Sequence, residues 1–191
     1  KVLNAVLPIV KKYGAVVLGL CMDSRGVPKT SEERFEIAEK IVRRAEEFGI
    51  SRHRVMIDTL VLTASAEQAL VKETLRALEK VKTLGVKTAL GVSNVSFGLP
   101  ARGLLNKTFL AMALERGLDM PILNPLDGEM TGVVRAFGVL SGTDENSEEF
   151  IGLYKDYVPT ASAAAVRKDA TETECASLRD CILRGFKSKA R

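Results

Sequence analysis

The chain has 191 residues, which suits one domain with or without a tail. Its 46% hydrophobic and 27% charged residues are typical of a globular protein, and the net charge of +4 is a small excess spread along the sequence. Nucleic-acid surfaces usually carry a stripe of one sign with interleaved aromatic residues, so we expect no nucleic-acid partner. The apolar runs are strand-sized, which predicts no transmembrane span and no membrane partner.

The cysteine and histidine content argues against a metal centre. Three cysteines, without a Cys-x-x-Cys pair, accompany one histidine, so the four ligands of a zinc site are not available at the usual spacings. An odd number of cysteines and no secretory leader predict reduced thiols and a cytoplasmic location. The histidine, His53, lies in a charged segment before a strand, where we expect a surface residue rather than a catalytic base.

The first part of the chain predicts a helix, a strand and a second helix. Apolar residues recur at helical spacing from the start, and Gly14 ends this helix. The apolar run 15–22 lacks alternation, which is typical of a parallel strand covered on both faces. A polar loop follows, and the next helix is capped by Thr30 or Ser31 and ended by Gly49.

The same alternation continues through the middle of the chain. The predicted strands are 55–58, 88–92 and 120–124, and the predicted helices are about 66–83, 104–116 and 132–140. Strands that alternate with helices of this length indicate successive right-handed βαβ units in a parallel sheet. The predicted fold class is therefore α/β.

The end of the chain differs in composition. Residues 144–157 predict one more helix, which would complete a domain spanning 1–157. Residues 158–170 are rich in Ala, Ser, Thr and Pro and indicate a linker. Residues 171–191 form an amphipathic, finally basic segment that predicts a C-terminal helical tail.

Polar side chains stand where the predicted strands end. Asp58, the pair Ser93 and Asn94, and Asn124 each follow apolar strand residues, and Asp23 follows the first strand. Ligands of parallel α/β folds bind at this end of the strands. Any one of these residues could instead cap a helix or brace a loop. Four strand ends with the same feature favour a binding site.

Several enzyme signatures are missing from the sequence. Neither a Gly-x-Gly-x-x-Gly fingerprint nor a phosphate loop ending in Gly-Lys-Ser/Thr is present, and there is no Gly-x-Ser-x-Gly elbow. These absences point away from dinucleotide binding and from classical hydrolysis. A rim of Asp, Asn, Ser and Arg is better suited to a polar heterocycle.

One long segment resembles a known family. Gly91-Val-Ser-Asn-Val-Ser-Phe-Gly-Leu-Pro-Ala-Arg102 is similar to the pterin-binding methyltransferases. This family includes the folate domain of cobalamin-dependent methionine synthase and the methyltransferase that serves the corrinoid/iron–sulfur protein. Segments 22–28, 57–62 and 122–127 agree with the same family, and the resemblance runs collinearly from residue 1 to about 140.

The resemblance implies a (β/α)8 TIM barrel that binds 5-methyltetrahydrofolate at the mouth of its strands. In this family the N5 methyl group passes to the Co(I) of a cobalamin or related corrinoid. The corrinoid is held by a separate module or partner protein, and the Asp-x-His-x-x-Gly motif that ligates it is absent from this chain. The four predicted strands correspond to strands five to eight, so we expect the second half of a barrel. Two such halves pairing as a homodimer is a further expectation.

The resemblance also implies roles for six residues. Asp58 hydrogen-bonds the amino-pyrimidine edge of the pterin, Asn94 reaches N5 as the catalytic residue, and Arg102 lies near the p-aminobenzoate side. The Gly91 and Ser93 backbone and the Ile122 side chain line the same pocket. The chemistry agrees, because a carboxylate accepts from both the N3–H and the amino group. A neutral amide can serve a protonated N5 without adding an unpaired buried charge.

Departures from the family leave alternatives open. Thr59 stands where members commonly have Pro, and the absent half should carry another pterin-binding aspartate and an asparagine. A dihydropteroate-synthase-like enzyme would need a strand-end Lys and a late Arg-x-His pair, and neither is visible. A non-catalytic barrel fragment or docking segment, with weak or no pterin binding, is the other alternative. Segment 171–191 resembles the first helix of a cobalamin-capping bundle, although an ordinary amphipathic helix fits equally well.

Overall fold

The computed structural model describes residues 2–157. The helices are α1 (Val2–Tyr13), α2 (Ser31–Glu47), α3 (Ala69–Lys82), α4 (Arg102–Glu115), α5 (Gly128–Leu140) and α6 (Glu148–Tyr154), and the strands are β1 (Val17–Leu20), β2 (Val55–Asp58), β3 (Lys87–Gly91) and β4 (Met120–Ile122). Short 3-10 helices span Arg52–Arg54, Val92–Ser96 and Glu145–Ser147. Within residues 2–157, no helix combines the length and apolar character needed to cross a bilayer.

The chain divides into two compact units, the first ending at Ile151 and the second running from Gly152 to Arg191. Of the second unit, residues 152–157 are described, and the rings of Tyr154 and Tyr157 meet edge to face with centroids 6.0 Å apart. The predicted linker 158–170 and the predicted helix 171–191 lie outside the described residues.

The four strands form one parallel sheet in the order β1-β2-β3-β4. Leu20 pairs with Asp58, Asp58 with Ala89, and Ala89 with Met120, so these side chains share one face of the sheet. The predicted α/β class with successive βα units is therefore confirmed. Sequential parallel strands with helical connections are compatible with part of a (β/α) barrel.

The helices pack against the opposite face of the sheet, where the hydrophobic core lies. Val17, Val55 and Ile57 are buried there, with at most 8% exposure each. A Cβ on Gly19 would come within 2.8 Å of the Ile41 side chain, so α2 rests directly on the backbone of β1. A larger residue at position 19 would push this helix away from the sheet.

The other face of the sheet is exposed at the two outer strands, whereas Asp58 and Ala89 on the two middle strands are buried. Leu18 and Leu20 in β1 are 43% and 41% exposed, and Met120 and Ile122 in β4 are 49% and 55% exposed. The prediction that β1 is covered on both faces is therefore wrong for this part of the chain. The strand is apolar on both faces, but the described helices cover one of them.

Capping explains where helices begin. The predicted cap at Thr30 is confirmed, because its hydroxyl accepts from the Glu33 N–H at 3.3 Å and donates to the Glu33 carboxylate at 3.0 Å. Helix α5 begins at Gly128 rather than near 132, because the Asp127 carboxylate accepts from the N–H groups of Glu129 and Met130.

The remaining boundaries differ from prediction in smaller ways. Helix α4 begins at Arg102, two residues early, and α3 begins at Ala69, about three residues late. Val92–Ser96, predicted to be partly strand and partly loop, forms a 3-10 helix. The predicted helix 144–157 shortens to Glu148–Tyr154, since Asn146 and Ser147 have φ of +53° and +58°.

A carboxylate organises the amino-terminal edge of the sheet. Asp119, just before β4, accepts hydrogen bonds from Lys82 Nζ (2.8 and 2.9 Å), Lys87 Nζ (3.0 Å) and the backbone N–H of Thr88 (2.9 Å). Burial by itself would raise the pKa of Asp119, but the bonds from Lys82, Thr88 and Lys87 outweigh it and lower the pKa. The ionised carboxylate therefore stabilises the folded state.

We expect Asp119→Asn to lower the free energy of unfolding at pH 7 by about 1.5–3 kcal/mol, the usual value of a hydrogen bond to a charged group. Because the folded pKa is below the unfolded value of about 3.9, this contribution is complete above that pH and is lost as the pH falls through the folded pKa. Urea denaturation at several pH values measures it. Glu79→Gln, which breaks an exposed pair with Arg116, is the control and should leave stability unchanged. An equal loss at pH 2 and pH 7 would contradict the assignment.

Candidate functional site

Asp58 ends β2 on the open face of the sheet and is 7% exposed. Its Oδ1 accepts from the backbone N–H of Leu60 at 2.8 Å, while Oδ2 accepts no hydrogen bond from residues 2–157. Burial raises the pKa of Asp58, although the Leu60 N–H acts in the opposite direction. One carboxylate oxygen is thus fixed, and the other is available to a ligand.

The turn after Asp58 has an unusual backbone. Leu60 has φ of +61°, in the left-handed region that residues with a side chain rarely adopt. This conformation allows the Leu60 N–H to bend back to the carboxylate two residues earlier. The orientation of Asp58 therefore depends on a strained residue, which must be held by its surroundings.

Asn94 lies in the 3-10 helix Val92–Ser96, directly after β3, and is exposed. A Cβ on Gly91 would stand 3.3 Å from Asn94 Nδ2, so the side-chain amide lies against the backbone of Gly91. Gly91 in turn pairs with Ile122 of β4, whose side chain is 55% exposed. Glycine at position 91 leaves room for the amide at the strand end.

Arg102, the first residue of α4, folds back onto the loop that precedes it. Its Nε donates to Ser96 Oγ and its Nη2 donates to the carbonyl of Ser93, both at 3.0 Å. The guanidinium also lies over the Phe97 ring, 5.9 Å from its centroid. Arg102 therefore braces the segment that carries Asn94, a contact that its sequence position did not predict.

The structure separates the polar strand ends into two groups. Asp58, Gly91 with Ser93 and Asn94, and Ile122 lie on three neighbouring strands at the carboxyl edge of one sheet. The other two polar residues have local roles. Asn124 accepts from the N–H of Leu126 at 3.1 Å, and Asp23 pairs with Arg25, whose hydrogen bonds lower the pKa of Asp23.

One residue near the site was missed by the sequence analysis. Arg34 in α2 is completely buried, and it contacts the turn after Asp58. A signal was present, because Arg34 lies at helical spacing from the buried residues Ala38, Ile41 and Ala45. A charged residue on the inner face of an amphipathic helix needs a specific set of partners.

Comparison with known proteins identifies the family. A model described as pterin binding enzyme matches residues 3–124. The chain belongs to the pterin-binding enzyme family. It is 26% identical over 171 residues to the methylcorrinoid:tetrahydrofolate methyltransferase of Eubacterium limosum, covering 75% of this chain and 63% of that protein.

Two methionine synthases are also similar. That of Mycobacterium tuberculosis (strain ATCC 25618 / H37Rv) is 35% identical over 127 residues, covering 62% of this chain and 11% of that protein. That of Mycobacterium leprae (strain TN) is 32% identical over the same length, covering 62% and 10%. The chain thus spans 63% or less of the length of these relatives. The expected resemblance to pterin-binding methyltransferases is confirmed at the level of the family.

We expect Asp58→Asn to raise the free energy of unfolding by about 1 kcal/mol at neutral pH, as is common when a site carboxylate is neutralised. The folded pKa of Asp58 is above its unfolded value. The protonated carboxyl group therefore does not destabilise the fold below the unfolded pKa. As the pH rises through the folded pKa, the group ionises and the free energy of unfolding falls. Urea denaturation at pH 3 and pH 7 should show the gain only at pH 7. A loss of stability at pH 7 would mean that the carboxylate has partners that its geometry does not reveal.

Proposed function

We propose that this chain binds 5-methyltetrahydrofolate at the carboxyl edge of its sheet, as the pterin-binding part of a corrinoid-dependent methyltransferase. In the complete protein the N5 methyl group would pass to the Co(I) corrinoid of a separate module or partner. The observation that carries the proposal is Asp58, which has one oxygen fixed by Leu60 and the other available. It ends the strand adjacent to β3, which ends at Gly91 and is followed by Asn94, in a chain of the pterin-binding family.

Asp58 is proposed as the anchor of the pterin. The pterin presents its N3–H and its amino group side by side, and an ionised carboxylate can accept both hydrogen bonds. Oδ2 is available for one, and Oδ1 keeps a lone pair beyond the bond from Leu60 for the other. Because that N–H bond favours the ionised form, the turn also prepares the group for this task.

Asn94 is proposed as the residue that acts during transfer. N5 is a poor leaving group unless it gains positive charge, so a group that stabilises this charge as the methyl leaves raises the rate. The Asn94 amide is exposed beside Gly91 and can present its oxygen to a protonated N5. Its neutrality avoids over-stabilising the protonated form in the ground state. Ser93 and Ile122 are proposed to line the pocket, and Arg102 to hold the Asn94 segment near the p-aminobenzoate side.

A corrinoid, when bound, supplies a cobalt centre that exchanges the methyl group. Ligation of that centre is proposed to come from the separate module, because the single histidine of the chain, His53, lies before β2 at the opposite edge of the sheet. The name of the Eubacterium relative describes transfer from a methylcorrinoid to tetrahydrofolate. The same residues can serve both directions, since a reaction and its reverse share one transition state.

The exposed side chains of β1 and β4 favour a pocket that is completed by residues beyond those described. Leu18, Leu20 and Ile122 are 41–55% exposed, so much of the pocket wall must come from elsewhere. Four further strands of a (β/α)8 barrel are proposed to supply it, and a homodimer of two such chains is the second proposed source. Without either, this chain would act as a non-catalytic fragment with weak or no pterin binding.

The buried free thiol of Cys21 supports our placing the protein in the cytoplasm.

The test is calorimetric titration of the full chain with 5-methyltetrahydrofolate and with tetrahydrofolate. We expect saturable binding that Asp58→Asn weakens by about 100-fold. The variant loses two charge-assisted hydrogen bonds, and the NH2 group of its amide would face one of the two donor groups of the pterin. We expect Asn94→Ala to weaken binding by tenfold or less, since its role is in the transfer step.

Asp119→Asn is the matched control, because it makes the same chemical change at the opposite edge of the sheet. It should retain wild-type affinity wherever it remains folded. Equal affinity of wild type and Asp58→Asn would reject Asp58 as the anchor. A cooperatively folded wild type without binding would favour the non-catalytic fragment.

A further inference from the structure

Arg34 is the largest of the fully buried side chains among the described residues. Its guanidinium donates to four oxygens: the carbonyls of Pro28 (2.8 Å), Thr59 (3.3 Å) and Leu60 (2.9 Å), and Thr74 Oγ1 (2.7 Å). None of these four partners is charged. Burial therefore lowers the pKa of Arg34, with weaker opposing effects from Cys21 and Glu73.

Packing alone does not explain a guanidinium in this position. Replacing a buried charge by an apolar side chain of similar volume is often neutral or stabilising. One nitrogen, Nη2, is buried and has no hydrogen-bond partner among residues 2–157, which makes the arrangement less favourable still. The four hydrogen bonds that Arg34 makes must therefore fix a backbone conformation that an apolar side chain could not fix.

Those bonds join the two loops that follow β1 and β2. Pro28 belongs to the loop before α2, whereas Thr59 and Leu60 follow Asp58 directly. The carbonyl of Leu60 accepts from both Arg34 and Thr74. Leu60 is the residue whose left-handed backbone directs its N–H to Asp58.

We infer that Arg34 is a positioning residue, which holds Leu60 in its left-handed conformation so that the Leu60 N–H orients the Asp58 carboxylate for the pterin. The inference rests on the proposed function in one respect, namely that Asp58 is the carboxylate that binds the ligand. Arg34 itself does not touch the ligand. The geometry of the turn can be measured without any pterin, so the inference can fail or stand independently of the binding test.

The test uses NMR on the full chain. It follows hydrogen exchange of the Leu60 amide and titration of the Asp58 carboxyl group. Arg34→Met removes the charge and the donors, whereas Arg34→Lys keeps the charge but cannot span the carbonyls of Pro28 and Leu60 together. Both variants should make the Leu60 amide exchange about tenfold faster, since its hydrogen bond is weakened. Both should also raise the pKa of Asp58.

Two features make the titration interpretable. Burial raises the pKa of the Cys21 thiol, which neighbours both Arg34 and Asp58, to about 12, so it stays neutral while Asp58 titrates. Arg54→Met is the matched control, because Arg54 also donates to carbonyls, those of Val10 and Ala15, but at the amino end of β2. It should leave both signals of the Asp58 turn unchanged.

A second substitution separates positioning from charge and from general stability. Leu60→Gly lets position 60 adopt a positive φ without strain. In the Arg34→Met background it should restore slow exchange at position 60 and the wild-type titration of Asp58. Restoration by Arg34→Lys alone would overturn the inference in favour of a direct charge effect. Failure of Leu60→Gly to restore either signal in a folded protein would also overturn it. If Arg34→Met does not fold, Leu60→Gly is combined with Arg34→Lys and the same two signals are measured.

Discussion

Every strand of the sheet runs parallel to its neighbour, so a helix must return the chain to the amino edge before each new strand begins. This constraint places all four carboxyl ends at a single edge, whatever the sequence of the connecting helices. Asp58, Gly91 and Ile122 lie at the carboxyl ends of three adjacent strands for this reason, although they are far apart in the chain. The short segments that follow the strands are then free to carry chemistry, because the helices and strands beneath them hold the fold.

The two edges of the sheet treat their aspartates in opposite ways. Asp119 at the amino edge is surrounded by donors from α3 and β3, and its ionised form strengthens the fold. Asp58 at the carboxyl edge has one backbone donor and burial that disfavours its charge. A carboxylate of the second kind destabilises the protein when no ligand is bound. A ligand with two adjacent hydrogen-bond donors would stabilise its charge. This contrast is a physical reason, independent of family resemblance, to look for binding at Asp58 and not at Asp119.

Local sequence signals were sufficient for much of the fold. The order of helices and strands, the Thr30 cap and the position of Asp58 at a strand end follow from periodicity and from capping chemistry within a few residues. What could not be read locally depends on contacts between distant segments. The left-handed backbone at position 60 could not be predicted, because the residue there is leucine and not glycine. This conformation is held by hydrogen bonds from Arg34 and Thr74 on two helices. The direction of Arg102 likewise follows from the 3-10 helix before it. An apolar run such as that of β1 also does not reveal which of its faces the same chain covers.

The strand order has a consequence for how the protein is made. Each strand pairs with the strand that comes next in the sequence, and β1, the first of these four strands to be translated, lies at one side of the sheet. Folding can therefore proceed during synthesis, with each new helix and strand docking onto an edge that already exists. The α2–β1 contact, in which Ile41 lies against Gly19, joins segments close together in the sequence and offers a nucleus for the pairing of these four strands. We expect a larger side chain at position 19 to slow folding itself, whereas changes at the last strand should act mainly on the rate of unfolding.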